Sequence, residues 1–88
     1  MKTVIFQAQA KEDINHWSVA DKKTLRKIDE LIKDIDRSPF KGIGKPEPLK
    51  YQYKGFWSRR INREHRLIYQ ISLQNDIVII SCKGHYSN

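Results

Sequence analysis

Glu47 stands between Pro46 and Pro48, with Lys45 and Lys50 close on either side. The prolines hold the backbone of that carboxylate nearly fixed, and the lysines favour its ionised form. Such a carboxylate can act as a general base, although an exposed glutamate in a proline turn has the same local sequence. His85, near the carboxy terminus, is the matching candidate for a general acid, because imidazole titrates near neutrality. A tail histidine without a role is the competing reading. Arg59, Arg60 and Arg66 offer guanidinium forks that match phosphate oxygens. Tyr86, beside His85, can stack on a base or simply pack. A base, an acid and fixed cations are what cleavage of RNA through its own 2′-hydroxyl requires. His16, His65 and His85 lack metal-ligand spacing and Cys82 is the single cysteine, so neither metal nor cofactor is expected.

Charge is concentrated around these residues. Residues 41–66 hold eight basic and two acidic side chains, or +6 of the net +7 of the 88-residue chain. Tyr51, Tyr53, Phe56 and Trp57 are interleaved with them. Clustered cations and aromatics suit a polyanion that carries flat bases, and a solvated sheet face accounts for the charge alone equally well. The length fits one domain, residues 1–88. A lone cysteine rules out an internal disulfide and fits a reducing compartment. Its place in the apolar run 77–82 makes Cys82 a small buried hydrophobe rather than a nucleophile. No signal peptide or run of about 20 apolar residues is visible, so the expected location is cytoplasmic, with no membrane partner.

The elements that must position these groups follow from periodicity. Residues 2–6 predict a strand. Residues 7–19 predict a helix with Ala10, Ile14 and Trp17 on one face. Asp21 caps a second helix, whose stripe of Leu25, Ile28, Leu31, Ile32 and Ile35 is core. Ser38 and Pro39 end it. The glycines and prolines of residues 42–48 predict an irregular loop. Residues 49–53, 56–62, 65–73 and 77–83 then predict four strands joined by short turns. On the second of these, Arg59 shares parity with the bulky Trp57 and Ile61, and Arg60 with Phe56 and Ser58. Arg60 is therefore expected to be free for a site, and Arg59 to be a peripheral, snorkelling residue. Arg66 is expected on the open face, while His65 shares the parity of Leu67 and reads as structural. The fold class is α+β: a strand, two helices, and a four-stranded antiparallel meander with the helices on one face.

Several separated motifs occur in a characteristic order: Gly44-Lys45-Pro46-Glu47-Pro48-Leu49-Lys50, Gly55-Phe56-Trp57-Ser58-Arg59-Arg60-Ile61, Glu64-His65-Arg66-Leu67-Ile68-Tyr69 and a terminal His85-Tyr86. With the segment from Lys27 to Phe40, this pattern resembles the YoeB/Txe family of RelE-like bacterial toxins. The resemblance implies a RelE-like, microbial-RNase-like fold and a ribosome-dependent mRNA endonuclease that cuts in the A site without a metal. It implies Glu47 as base, His85 as acid, Arg66 and Arg60 as phosphorane stabilisers, Lys50 and Lys45 as phosphate guides, and Tyr86 as a stacking platform. It further implies a YefM/Axe-like antitoxin and the bacterial 70S ribosome with mRNA as partners, and allows a homodimer. Departures from the pattern are Gly84, where a larger residue is usual, the extra Ser87-Asn88, Tyr51 in place of a common histidine, and a first helix without the usual serine cap and early tryptophan. A non-catalytic ribosome- or RNA-binding protein and a ParE-like gyrase poison are the alternatives on the same scaffold.

Overall fold

The computed structural model describes residues 1–84. Strand β1 (Val4–Phe6) leads into helix α1 (Ala8–Ala20) and helix α2 (Lys22–Arg37). Strands β2 (Glu47–Pro48), β3 (Trp57–Arg60), β4 (Arg66–Ile71) and β5 (Ile77–Ser81) follow, with a 3-10 turn at Tyr51–Tyr53. The strands form one five-stranded sheet in the order β1-β5-β4-β3-β2. The expected meander from β2 to β5 is antiparallel throughout, and β1 joins it by pairing in parallel with β5.

Local chemistry explains the helices. Asp21 accepts hydrogen bonds from the backbone N–H groups of Lys23 and Thr24, which caps α2. A hydrogen bond from the Thr24 hydroxyl, helped by these backbone bonds, holds its carboxyl below the usual carboxylate range. The start of α1 has no such cap, since Gln7 makes no side-chain bond there. Ile28, Leu31, Ile32 and Ile35 of α2 are buried against Leu67 and Tyr69 of β4 and Ile77 and Ile79 of β5. Each such side chain is worth about 1.5–3 kcal/mol when fully removed from water. Ala10 and Trp17 bring α1 onto the same core. Both helices thus cover one face of the sheet.

One expected element is misplaced. Residues 49–53 are not a strand. Pairing instead involves Glu47 and Pro48, opposite Ser58 and Trp57. It extends one step further through the bond from Leu49 N to Phe56 O. Proline is tolerated because β2 is the last strand of the sheet, where a missing N–H can face away from the ladder. Tyr51 then takes a left-handed φ of 57° and turns the chain away.

Candidate active site

Cross-strand register decides which side chains share a face. Glu47 lies opposite Ser58, Ser58 opposite Ile68, and Ile68 opposite Ser81. An irregularity between Ile68 and Tyr69 lets Ser81 keep this register while Ile79 stays opposite Tyr69 in the core. These four residues form a row across the face opposite the helices, where Glu47 is exposed and Ser58, Ile68 and Ser81 are buried. Beside it, Arg60 lies directly opposite Arg66. Two arginines in direct opposition destabilise a sheet, by roughly 0.2–1 kcal/mol for such pairs, so folding alone gives no reason to place them there.

The loop before β2 and the turn before β4 aim these groups. Lys45 adopts a left-handed φ of 50°, and with Tyr51 it brackets Glu47 between two non-glycine residues in that region. Such backbone costs of order 1 kcal/mol or more per residue and concentrates at functional sites. Gly44 O accepts from Arg60 N at 2.6 Å, which ties the loop to β3 just before Lys45. At the other end, Asn62 Oδ1 accepts from Glu64 N and His65 N at 2.9 and 2.8 Å and shapes the 62–65 turn. Arg66 Nη1 donates to the carbonyls of Asn62, His65 and Arg63 at 2.8, 3.2 and 3.4 Å. All three bonds run through one nitrogen, so the fork is held by backbone and not by a carboxylate that would cancel its charge.

Of the residues singled out by sequence, Glu47, Arg60 and Arg66 come together on this face. Lys45 and Lys50 are exposed immediately before and after β2. His85 and Tyr86 lie outside the described residues. Among the described residues, no group of three or more His, Cys, Asp or Glu is placed to hold a metal ion. Cys82 is buried, and that burial, with Asp13 nearby, pushes its thiol up to about 12. It is an inert small hydrophobe, as expected. His65 is structural too: its Nδ1 accepts from Gly84 N and its ring meets Trp17 edge-on.

Arg59 overturns its expected role. It is 0% exposed, not peripheral. Its guanidinium pairs with Asp34 of α2 and donates to the carbonyls of Ser38, Lys41 and Ile43. Nε donates to the Tyr69 hydroxyl, which itself donates to Pro39 O at 2.6 Å. The hydrogen bond from Arg59 holds the Asp34 carboxyl below the usual carboxylate range, whereas burial pushes the Tyr69 hydroxyl up. Residues 38–43 are therefore wound around one buried cation. Gly42 fits against it because a Cβ there would lie 2.1 Å from Asp34 Oδ2. The parity that put Arg59 on the core side was itself the signal, since a cation pointing into a core needs a carboxylate.

A family model described as the YoeB-like toxin of bacterial type II toxin–antitoxin systems matches residues 6–86. The chain is 47% identical over 83 residues to the toxin YoeB of Escherichia coli K12, covering 94% of this chain and 98% of that one. It is similar in structure to a YoeB dimer from Staphylococcus aureus, with a TM-score of 0.89 and 50% identity over 97% of this chain and 98% of that one. It is also similar to the toxin in a YoeB–YefM complex from Staphylococcus aureus, with a TM-score of 0.88 and 48% identity over 98% and 99% of the two chains.

Proposed function

Because the chain belongs to the YoeB-like toxins of bacterial type II toxin–antitoxin systems, we propose that it is an endoribonuclease that cuts mRNA in the ribosomal A site. The observation that carries this reading is the register that puts a carboxylate, Glu47, and two opposed arginines, Arg60 and Arg66, on the one sheet face that the helices do not cover. A module that only bound RNA would use the cations and have no need of the carboxylate.

In this scheme Glu47 takes the proton of a ribose 2′-hydroxyl as its oxygen attacks the adjacent phosphorus. Arg66 and Arg60 stabilise the charge that gathers on the phosphorane oxygens. His85 gives its proton to the departing 5′-oxygen. The products are a 2′,3′-cyclic phosphate and a 5′-hydroxyl. Lys45 and Lys50 draw in the phosphate backbone, and Tyr86 stacks on a base. No step calls on a metal. The Staphylococcus aureus toxin has been seen with YefM and as a dimer. By analogy, an acidic YefM-like antitoxin segment covers the +6 stretch of this chain, and two copies associate.

The deciding experiment uses purified 70S ribosomes programmed with an mRNA that carries a single 2′-deoxy nucleotide at the cleaved position. The all-ribose message is expected to be cut and the deoxy message to stay intact. Equal cutting of both sinks 2′-hydroxyl attack, and cutting of neither sinks the endonuclease reading.

A further inference from the structure

The chain leaves β5 under restraint from three elements. Cys82 N donates to Asp13 Oδ2 of α1 at 2.9 Å, and Cys82 O accepts from Trp17 Nε1 at 2.8 Å. Two residues later, Gly84 N donates to His65 Nδ1 at 2.8 Å, and Gly84 O accepts from Arg66 N at 2.8 Å. His65 is held in turn by Trp17, whose ring it meets edge-on at 4.8 Å and 73°. Because Nδ1 accepts, the imidazole proton sits on Nε2. Gly84 has a φ of +77°, and a Cβ built there meets nothing within 4 Å. Backbone conformation, not lack of space, is what favours glycine here. A residue that would otherwise be the loosest in the tail thus has both its polar groups fixed, one on His65 and one on Arg66.

We propose that His65 is a positioning residue for the reaction: its Nδ1 fixes Gly84 against the start of β4 and so sets where position 85 is attached relative to the Arg60–Arg66 pair. The inference rests on the endonuclease reading above. His65 touches no reacting atom in it. It acts through the backbone of Gly84, and a donor attached to a loosened Gly84 loses its alignment with the leaving oxygen. Misplacement of a group by about 1 Å can cost on the order of 100-fold in rate.

The test compares three variants of the full chain on programmed 70S ribosomes. His65→Asn places an amide oxygen near the position of Nδ1, His65→Gln places it near Nε2, and His65→Phe keeps the ring against Trp17 with no acceptor. Exchange of the Gly84 amide is followed by NMR in the same proteins. His65→Phe and His65→Gln are expected to lose kcat by about 10- to 100-fold with KM for the ribosome little changed. Their Gly84 amide should exchange about tenfold faster or more. His65→Asn should recover most of both. If His65→Phe or His65→Gln cuts at the wild-type kcat while its Gly84 amide is released, the positioning role is wrong. It is equally wrong if His65→Asn is as slow as His65→Gln, or if the whole loss falls on KM. A wild-type chain that cuts nothing overturns the endonuclease reading and this inference together, whereas a cutting wild type with an equally active His65→Gln overturns this inference alone.

Discussion

Arg59 and Arg60 are neighbours on β3, yet one is sealed in the core among five hydrogen bonds and the other is exposed opposite a second arginine. Strand alternation alone separates them, because successive side chains must leave by opposite faces. The core-facing arginine has its charge met by Asp34 and by three backbone carbonyls, so it can only hold structure. The outward one has no carboxylate opposite it in the register, and its charge remains available to a ligand. One dipeptide therefore builds a site from behind and furnishes it from in front. The difference also says which substitutions should unfold the protein and which should silence it.

Arg59→Met tests the buried half and should have the largest effect. Removing one partner of a buried ion pair typically costs about 3–5 kcal/mol, because the other charge is stranded. A domain of this size has about 5–15 kcal/mol to lose. Urea denaturation should show the midpoint collapse, and a variant as stable as wild type would mean that Arg59 does not organise residues 38–43. Glu47→Gln and Arg66→Ala test the exposed half. Each should leave the denaturation midpoint nearly unchanged, and Glu47→Gln should lower the cutting rate by about 10²–10⁴. A destabilised Glu47→Gln, or one that cuts normally, would erase the contrast.

The effect of pH is smaller and belongs to the buried arginine's partner. Asp34 has its folded carboxyl held below its ordinary value by the Arg59 hydrogen bond. The unfolded chain therefore binds the proton first as pH falls, and stability drops. The contribution is complete above the unfolded pKa of about 4 and is lost as pH falls through the lower folded value. Urea midpoints measured from neutral to strongly acidic pH should fall less steeply in Asp34→Asn than in wild type. Identical slopes would place the acid sensitivity elsewhere. Arg60→Ala should have the smallest effect on the fold. It relieves the opposition to Arg66, so stability should stay level or rise by less than about 1 kcal/mol. The salt slope of ribosome binding should shrink by about one. A marked loss of stability would show that Arg60 is not the free member of the pair.

What could be read in advance was whatever depends on short-range periodicity. The α2 stripe, the Asp21 cap and the opposed parities of Arg59 and Arg60 were all legible. Glu47 was conspicuous as a carboxylate framed by prolines and lysines, and its role stays a proposal. The failures are all long-range. Nothing near Pro48 indicates that it sits on a sheet edge, which is the condition that lets it pair. Parity put Arg59 inward, but its carboxylate is 25 residues away, and without it a snorkelling arginine was the natural expectation. Asp13 reads as one polar residue of α1, and its burial makes sense only once Cys82 N is beside it.

The parallel pairing of β1 with β5 has a consequence in time. A ribosome makes Val4–Phe6 before both helices and Ile77–Ser81, its neighbour in the sheet, after β2, β3 and β4. β5 also lies between β1 and β4 and contributes Ile77 and Ile79 to the core. Every earlier intermediate of the nascent chain lacks the strand that joins the first strand to the rest, and contacts of such wide sequence separation are the slow ones to form. Arg60 and Arg66 consequently have no complete sheet behind them until β5 has been made. The proposed cutting face is therefore complete only once β5 has docked between β1 and β4.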